Sequence, residues 1–209
     1  MFPERLEKGY RSFLEKRFAS ERARYQELAA EQKPSIMVIG CVDSRVSPEV
    51  IFDAAPGEIL VARNVANLVP RYEPEGESQH GTSAALEFAV RALQVRHIVV
   101  LGHAFCGGIK AFASDDAPLS SSDFIGRWMS QIAPAADAIT APKQDWESYL
   151  RQLEFASVEL SLKNLMTFPF VKTAVEKDEL SLHGAYFGVA SGRMLVRNEK
   201  TGSFEPVGD

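Results

Sequence analysis

Two short apolar runs, Ser35-Ile-Met-Val-Ile39 and His97-Ile-Val-Val-Leu101, are each followed by a glycine and then by a residue able to bind metal, Gly40-Cys41 and Gly102-His103. Short runs of this kind, rich in Val and Ile and without polar alternation, fit strands buried on both faces. Such strands occur in parallel sheets covered by helices, so the pattern points to an α/β domain. It also puts Cys41 and His103 at the carboxyl ends of strands, where open α/β sheets carry their sites. Cys106 follows three residues after His103, close enough for one tight turn to present both.

The rest of the chain agrees with that class. Leu6, Tyr10, Phe13, Leu14, Phe18, Tyr25 and Leu28 recur at helical spacing through residues 3–30, and Pro34 closes the segment. Ile59–Ala62 reads as a further strand. Thr82 to Leu93 reads as a helix with Thr82 as its N-cap and Glu87 facing out, and Gly107–Phe112 begins another. Residues 114–123 form a polar loop. Phe124–Ile139, interrupted at Pro134, and Trp146–Leu165 are helical, while His183-Gly184 marks a turn. Leu180–Ala190 and Met194–Val196 form a hairpin or edge pair around Ser191-Gly192. The expectation is about four parallel strands plus an antiparallel edge strand, flanked by helices. A chain of 209 residues fits one domain, with residues 1–34 as a helical segment ahead of a 35–209 catalytic domain.

A formal charge of -5 argues against a nucleic-acid partner. Charges interrupt every apolar run before it could span a bilayer, and the first 18 residues lack an apolar signal core. The expected location is cytoplasmic. With only two cysteines and no secretory signal, the thiols read as metal ligands or catalytic groups.

Two thiolates and an imidazole suit zinc, and three protein ligands leave a fourth tetrahedral position open, as catalytic sites do. The expected cofactor is one Zn2+ per subunit on Cys41, His103 and Cys106. Asp43 and Arg45 follow the first ligand closely, and a guanidinium fork matches a carboxylate. Asp43, held by Arg45, can orient a zinc-bound hydroxide or move onto the metal when released. His80, His97 and His183 are each candidates for a proton shuttle, but a structural or exposed role is the simpler reading. Asn64 and Asn67 read as backbone-packing residues beside the site, and Tyr186 and Phe187 as core or contact residues.

These motifs resemble those of the β-class carbonic anhydrases: Cys41-x-Asp43-x-Arg45, Arg63-Asn-Val-Ala-Asn67, Gly81-Thr-Ser-Ala-Ala-Leu-Glu-Phe88 and His97 through Cys106-Gly-Gly. The resemblance spans nearly the whole chain. It implies reversible hydration of CO2 to bicarbonate and a proton, with the Asp43–Arg45 dyad in catalysis. It implies a homo-oligomer, a dimer at least and often a tetramer built from dimers, with the N-terminal helices packed across a partner. It further implies a CO2 pocket at Gln32, Leu60, Val65, Phe88 and Gly107, the glutamine coming from the partner chain. Leu60 stands where plant members carry an aromatic residue. A bicarbonate regulatory site of some bacterial members uses Trp, Arg and Tyr; here the positions hold Val38, Arg63 and Phe187, so that site is not expected to form and the zinc should hold water at neutral pH. Relatives with the same ligation hydrolyse carbonyl sulfide or carbon disulfide, and a catalytically silent zinc dimer is the rival from another class. Retention of Asp43 and Arg45 counts against the silent reading.

Overall fold

A computed structural model describes residues 1–74, 80–114 and 124–208 of the protein. The expected 114–123 loop lies outside the described residues except for Ser114. Helix α1 (Glu4–Phe13) passes through a π-helical turn at Leu14–Phe18 into α2 (Ala19–Ala30). Strand β1 (Ile36–Cys41), helix α3 (Pro48–Ile51), strand β2 (Ile59–Asn64) and helix α4 (Gly81–Glu87) follow. Next come β3 (His97–His103), α5 (Gly107–Ala113), α6 (Phe124–Met129) and α7 (Ala133–Ala136). The chain ends through α8 (Trp146–Leu165), α9 (Pro169–Glu176), β4 (Ser181–Phe187), β5 (Met194–Arg197) and β6 (Phe204–Pro206).

One six-stranded sheet runs in the order β2-β1-β3-β4-β5-β6. The first four strands are parallel, and β5 and β6 are antiparallel. This is the expected architecture with one more strand. β6 was missed because three residues, the last a proline, carry no readable alternation. Helix α9 was missed for a related reason: Pro169 looked like a stop, but at the first helical turn proline is tolerated. Two other expectations are corrected. Thr82 does not cap α4; it sits one residue inside the helix after His80, and its hydroxyl accepts from Asn64 Nδ2 at 3.0 Å. His183 is not in a turn but inside β4, its ring 3.2 Å from the His97 imidazole across the strand pair.

The parallel strands have no polar face. Met37, Ile39, Ile98 and Val100 pack under the α4, α8 and α9 side, and Val38, Leu101 and Ala185 pack on the other. Helix α8 lies close against β3 and β4 because glycines face it. A Cβ on Gly102 would come within 2.6 Å of Val158 Cγ2, and one on Gly184 within 3.1 Å of Val158 Cγ1. Asp145 caps α8 by accepting from the Ser148 amide at 3.3 Å. No helix among the described residues is long and apolar enough to cross a membrane.

Candidate metal centre

β1 and β3 are adjacent parallel strands, with Gly40 opposite Leu101. Their ends therefore deliver Cys41 and His103 side by side, and the turn after β3 folds Cys106 back onto them. The two sulfurs and a ring nitrogen of His103 all lie within 4.8 Å of one another, and all three residues are buried. His103 Nδ1 lies 2.9 Å from the Ala104 carbonyl, which fixes the tautomer with the proton on Nδ1. Its Nε2 is buried with no hydrogen-bond partner. Burying an imidazole nitrogen unpaired is costly, and a metal ion removes that cost. The donor set and this orphaned nitrogen fit zinc.

Electrostatics agree. The Cys106 S–H and neighbouring donors hold the Cys41 thiol well below its ordinary value, while the Cys41 sulfur and burial push Cys106 up. Burial alone would lower the His103 pKa, but the Cys41 sulfur more than offsets it. The Ala66 amide donates to Cys41 Sγ at 3.3 Å. Ala66 and Asn67 reach that position with φ of 64° and 49°, left-handed values that are rare for residues with a Cβ. Asn64 secures the same turn: its side chain donates to the Leu68 carbonyl and accepts from the Leu68 amide, each at 2.8 Å.

Asp43 and Arg45 form a two-pronged pair beside the cluster, Nε to Oδ1 at 2.9 Å and Nη2 to Oδ2 at 2.7 Å. The Arg45 guanidinium holds the Asp43 carboxyl well below the usual carboxylate range. Arg45 Nη2 also donates to the Phe105 carbonyl at 3.1 Å, which links the dyad to the loop carrying Cys106. Arg63 braces the other side, donating to the Cys41 and Asp43 carbonyls at 2.7 Å each.

Of the five expected pocket positions, Val65 and Gly107 stand at the cluster. Val65 precedes Ala66, and a Cβ on Gly108 would come within 2.8 Å of Val65 Cγ1. One chain does not bring the other three there. Leu60 pairs with Met37, four residues back from Cys41 and so roughly 13 Å down the strand. Gln32 lies in a surface hollow with Tyr25, Leu28 and Pro56, and Phe88 is 45% exposed after α4. Val38 and Phe187 sit in the apolar cluster on the far face of the sheet, and Arg63 is committed to carbonyls.

Sequence reading missed Glu154. It is 5% exposed, on α8, and accepts from the Cys106 amide at 3.1 Å and from the Tyr186 hydroxyl at 2.6 Å. Burial raises its pKa, and burial with this hydrogen bond raises that of Tyr186. Ser161 and Asn164, also on α8, bind the backbone of the 67–69 turn. The only sequence signal was the set of polar residues Glu154, Ser157, Ser161 and Asn164, at i, i+3, i+7 and i+10 on the apolar face of the helix.

A family model described as carbonic anhydrase matches residues 36–194. Beta carbonic anhydrase 3 of Arabidopsis thaliana is 36% identical over 193 residues, 90% of this chain and 74% of that protein. The chloroplastic beta carbonic anhydrase 5 of Arabidopsis thaliana is 35% identical over 184 residues, 87% of this chain but 60% of that protein. Among solved structures, the β-carbonic anhydrase CcaA superposes with a TM-score of 0.85 at 27% identity, covering 98% of each chain. A structure described as one of two tetrameric β-carbonic anhydrases from Sordaria macrospora gives 0.77 at 28% identity, covering 91% of this chain and 94% of that one.

Proposed function

The chain belongs to the β-class carbonic anhydrases, a family of carbonate dehydratases, and from that premise we propose that it hydrates CO2 reversibly to bicarbonate and a proton at a zinc ion held by Cys41, His103 and Cys106. The observation that carries this reading is His103, whose buried Nε2 has no partner and whose ring presents a nitrogen within 4.8 Å of two sulfurs beside the Asp43–Arg45 pair. Bound zinc supplies Lewis acidity that makes water a nucleophile near neutral pH, an effect two thiolate ligands weaken. The chain's own residues do the rest. Arg45 keeps the Asp43 carboxyl ionised at neutral pH, so Asp43 can accept a hydrogen bond and aim the attacking water. Arg45 holds that carboxylate in place, and Arg63 keeps the 41–43 backbone still. Val65 and Gly107 form the near wall of the CO2 site. Gln32 comes from a partner chain, and Leu60 and Phe88 can join the same site only across that interface.

A homo-oligomer, a dimer at least, supports this assembly. The N-terminal helices bury no residue in the single chain, and Phe2, Leu6 and Tyr10 are 64%, 56% and 59% exposed. With Val38 and Phe187 in two of the three bicarbonate-lock positions, Asp43 stays on Arg45 at neutral pH.

Stopped-flow CO2 hydration against pH, with zinc content measured on the same samples, tests the assignment. Wild type is expected to gain activity as pH rises, and Cys106→Ser to lose both zinc and activity. Full activity in a metal-free Cys106→Ser protein would sink the site. Faster turnover of carbonyl sulfide or carbon disulfide than of CO2 would reassign the substrate.

A further inference from the structure

Behind the loop that carries Cys106 lies a cavity of about 340 Å3, walled by Leu150 and Phe155 of α8, Leu195 of β5 and the Phe105 ring. None of the five CO2-pocket positions lines it. Its volume is at the small end of the range for small-molecule sites.

The charges around it narrow the ligand chemistry. Glu154 on the cavity wall is already engaged by Tyr186 and the Cys106 amide. Glu147 is paired with Arg151 at 3.1 Å. Arg193, just before β5, also lines the cavity, and its guanidinium has no hydrogen-bond or ion-pair partner among the described residues. A free guanidinium fork beside an apolar hollow matches a carboxylate on an apolar body. Phe105 adds a second sign. Its ring is 60% exposed on a backbone with φ of 59°. Both the exposure and the left-handed backbone are unfavourable for phenylalanine, and a ligand against the ring relieves the first.

We propose that this cavity binds a small organic monoanion, its carboxylate on Arg193 and its apolar body between Phe105, Leu150 and Phe155. Such an occupant reaches the metal side through one residue. The Phe105 carbonyl accepts from Arg45, and Arg45 holds Asp43, so pressure on the Phe105 loop bears on the dyad. This link to turnover rests on the carbonic anhydrase reading; the binding does not.

Phenylacetate is the probe and 2-phenylethanol its neutral counterpart, titrated into zinc-loaded protein and followed by ligand-observed NMR. Phenylacetate is expected to bind saturably. Affinity should fall by about tenfold or more for phenylethanol and in Arg193→Gln, the cost of one charged pairing. Arg193→Lys should recover part of it, and Leu150→Trp should remove binding by filling the cavity. Carboxylates can also ligate zinc. Binding that survives both Arg193→Gln and Leu150→Trp would therefore put the anion on the metal and overturn the proposal, as would equal affinity for phenylethanol or no binding at all. In a CO2 hydration assay, phenylacetate should change the rate with the NMR midpoint, and Arg193→Gln should abolish the response. Binding without a rate change in an active enzyme overturns the link to Arg45. A protein inactive towards CO2 fails the functional reading and leaves the binding result standing.

Discussion

A buried carboxylate is costly unless its oxygens are filled, and Glu154 meets that condition through the Cys106 amide and the Tyr186 hydroxyl. Glu154→Leu strands both donors, at about 1–3 kcal/mol each, and frees the loop that presents Cys106. We expect a lower melting temperature and zinc lost to a chelator about 10–100-fold more readily, the usual effect of losing a residue that supports a ligand. Glu154→Gln can still accept from Cys106 and donate to the Tyr186 oxygen, so it should retain most of both. Equal chelator resistance in wild type and Glu154→Leu would show that the ligand loop needs no such support. Asp43 and Arg45 were legible because two and four residues separate them from Cys41. Glu154 was not, because 48 residues separate it from Cys106 and alone it looks like any helical glutamate.

At the scale of elements, the site depends on how closely α8 approaches β3. The helix was readable from its apolar period, and its observed limits, Trp146–Leu165, are those the sequence implied. Its contact with the sheet was not readable, because glycine carries no pattern. Gly102→Ala puts a methyl 2.6 Å from Val158 Cγ2, inside a side chain with no exposure. Overpacking of that kind costs about 1–3 kcal/mol. Calorimetry should therefore find Gly102→Ala destabilised, and Val158→Ala introduced into it should restore part of the loss although Val158→Ala alone destabilises. If the two effects simply add, the glycine does not set this spacing. The misplaced N-cap at Thr82 belongs to the same scale: a threonine near a helix start can cap it, but here Asn64 takes the hydroxyl.

At the scale of the whole molecule, three candidate metal ligands lie in one chain while part of the proposed CO2 pocket does not. The arm touches its own body sparingly: Arg24 donates to the Pro56 carbonyl at 2.7 Å, and Leu28 packs over Gly57. Removing residues 1–30 should leave a folded, zinc-binding 31–209 chain that runs as a monomer in size-exclusion chromatography with light scattering and hydrates CO2 poorly. A truncated protein that remains a dimer of full activity would show that the arm is not the clasp.

The sequence by itself determined the class of fold, the candidate ligand set and the Asp43–Arg45 pair, because each is written in local patterns: apolar runs, and residues a few positions apart at strand ends. The tertiary structure decided what distant segments do to one another. It set the left-handed turn at Ala66 that gives an amide to Cys41, the glutamate of α8 that fixes Cys106, and the cavity beneath Phe105. Those depend on packing distances across the sheet, and no local run of residues encodes them.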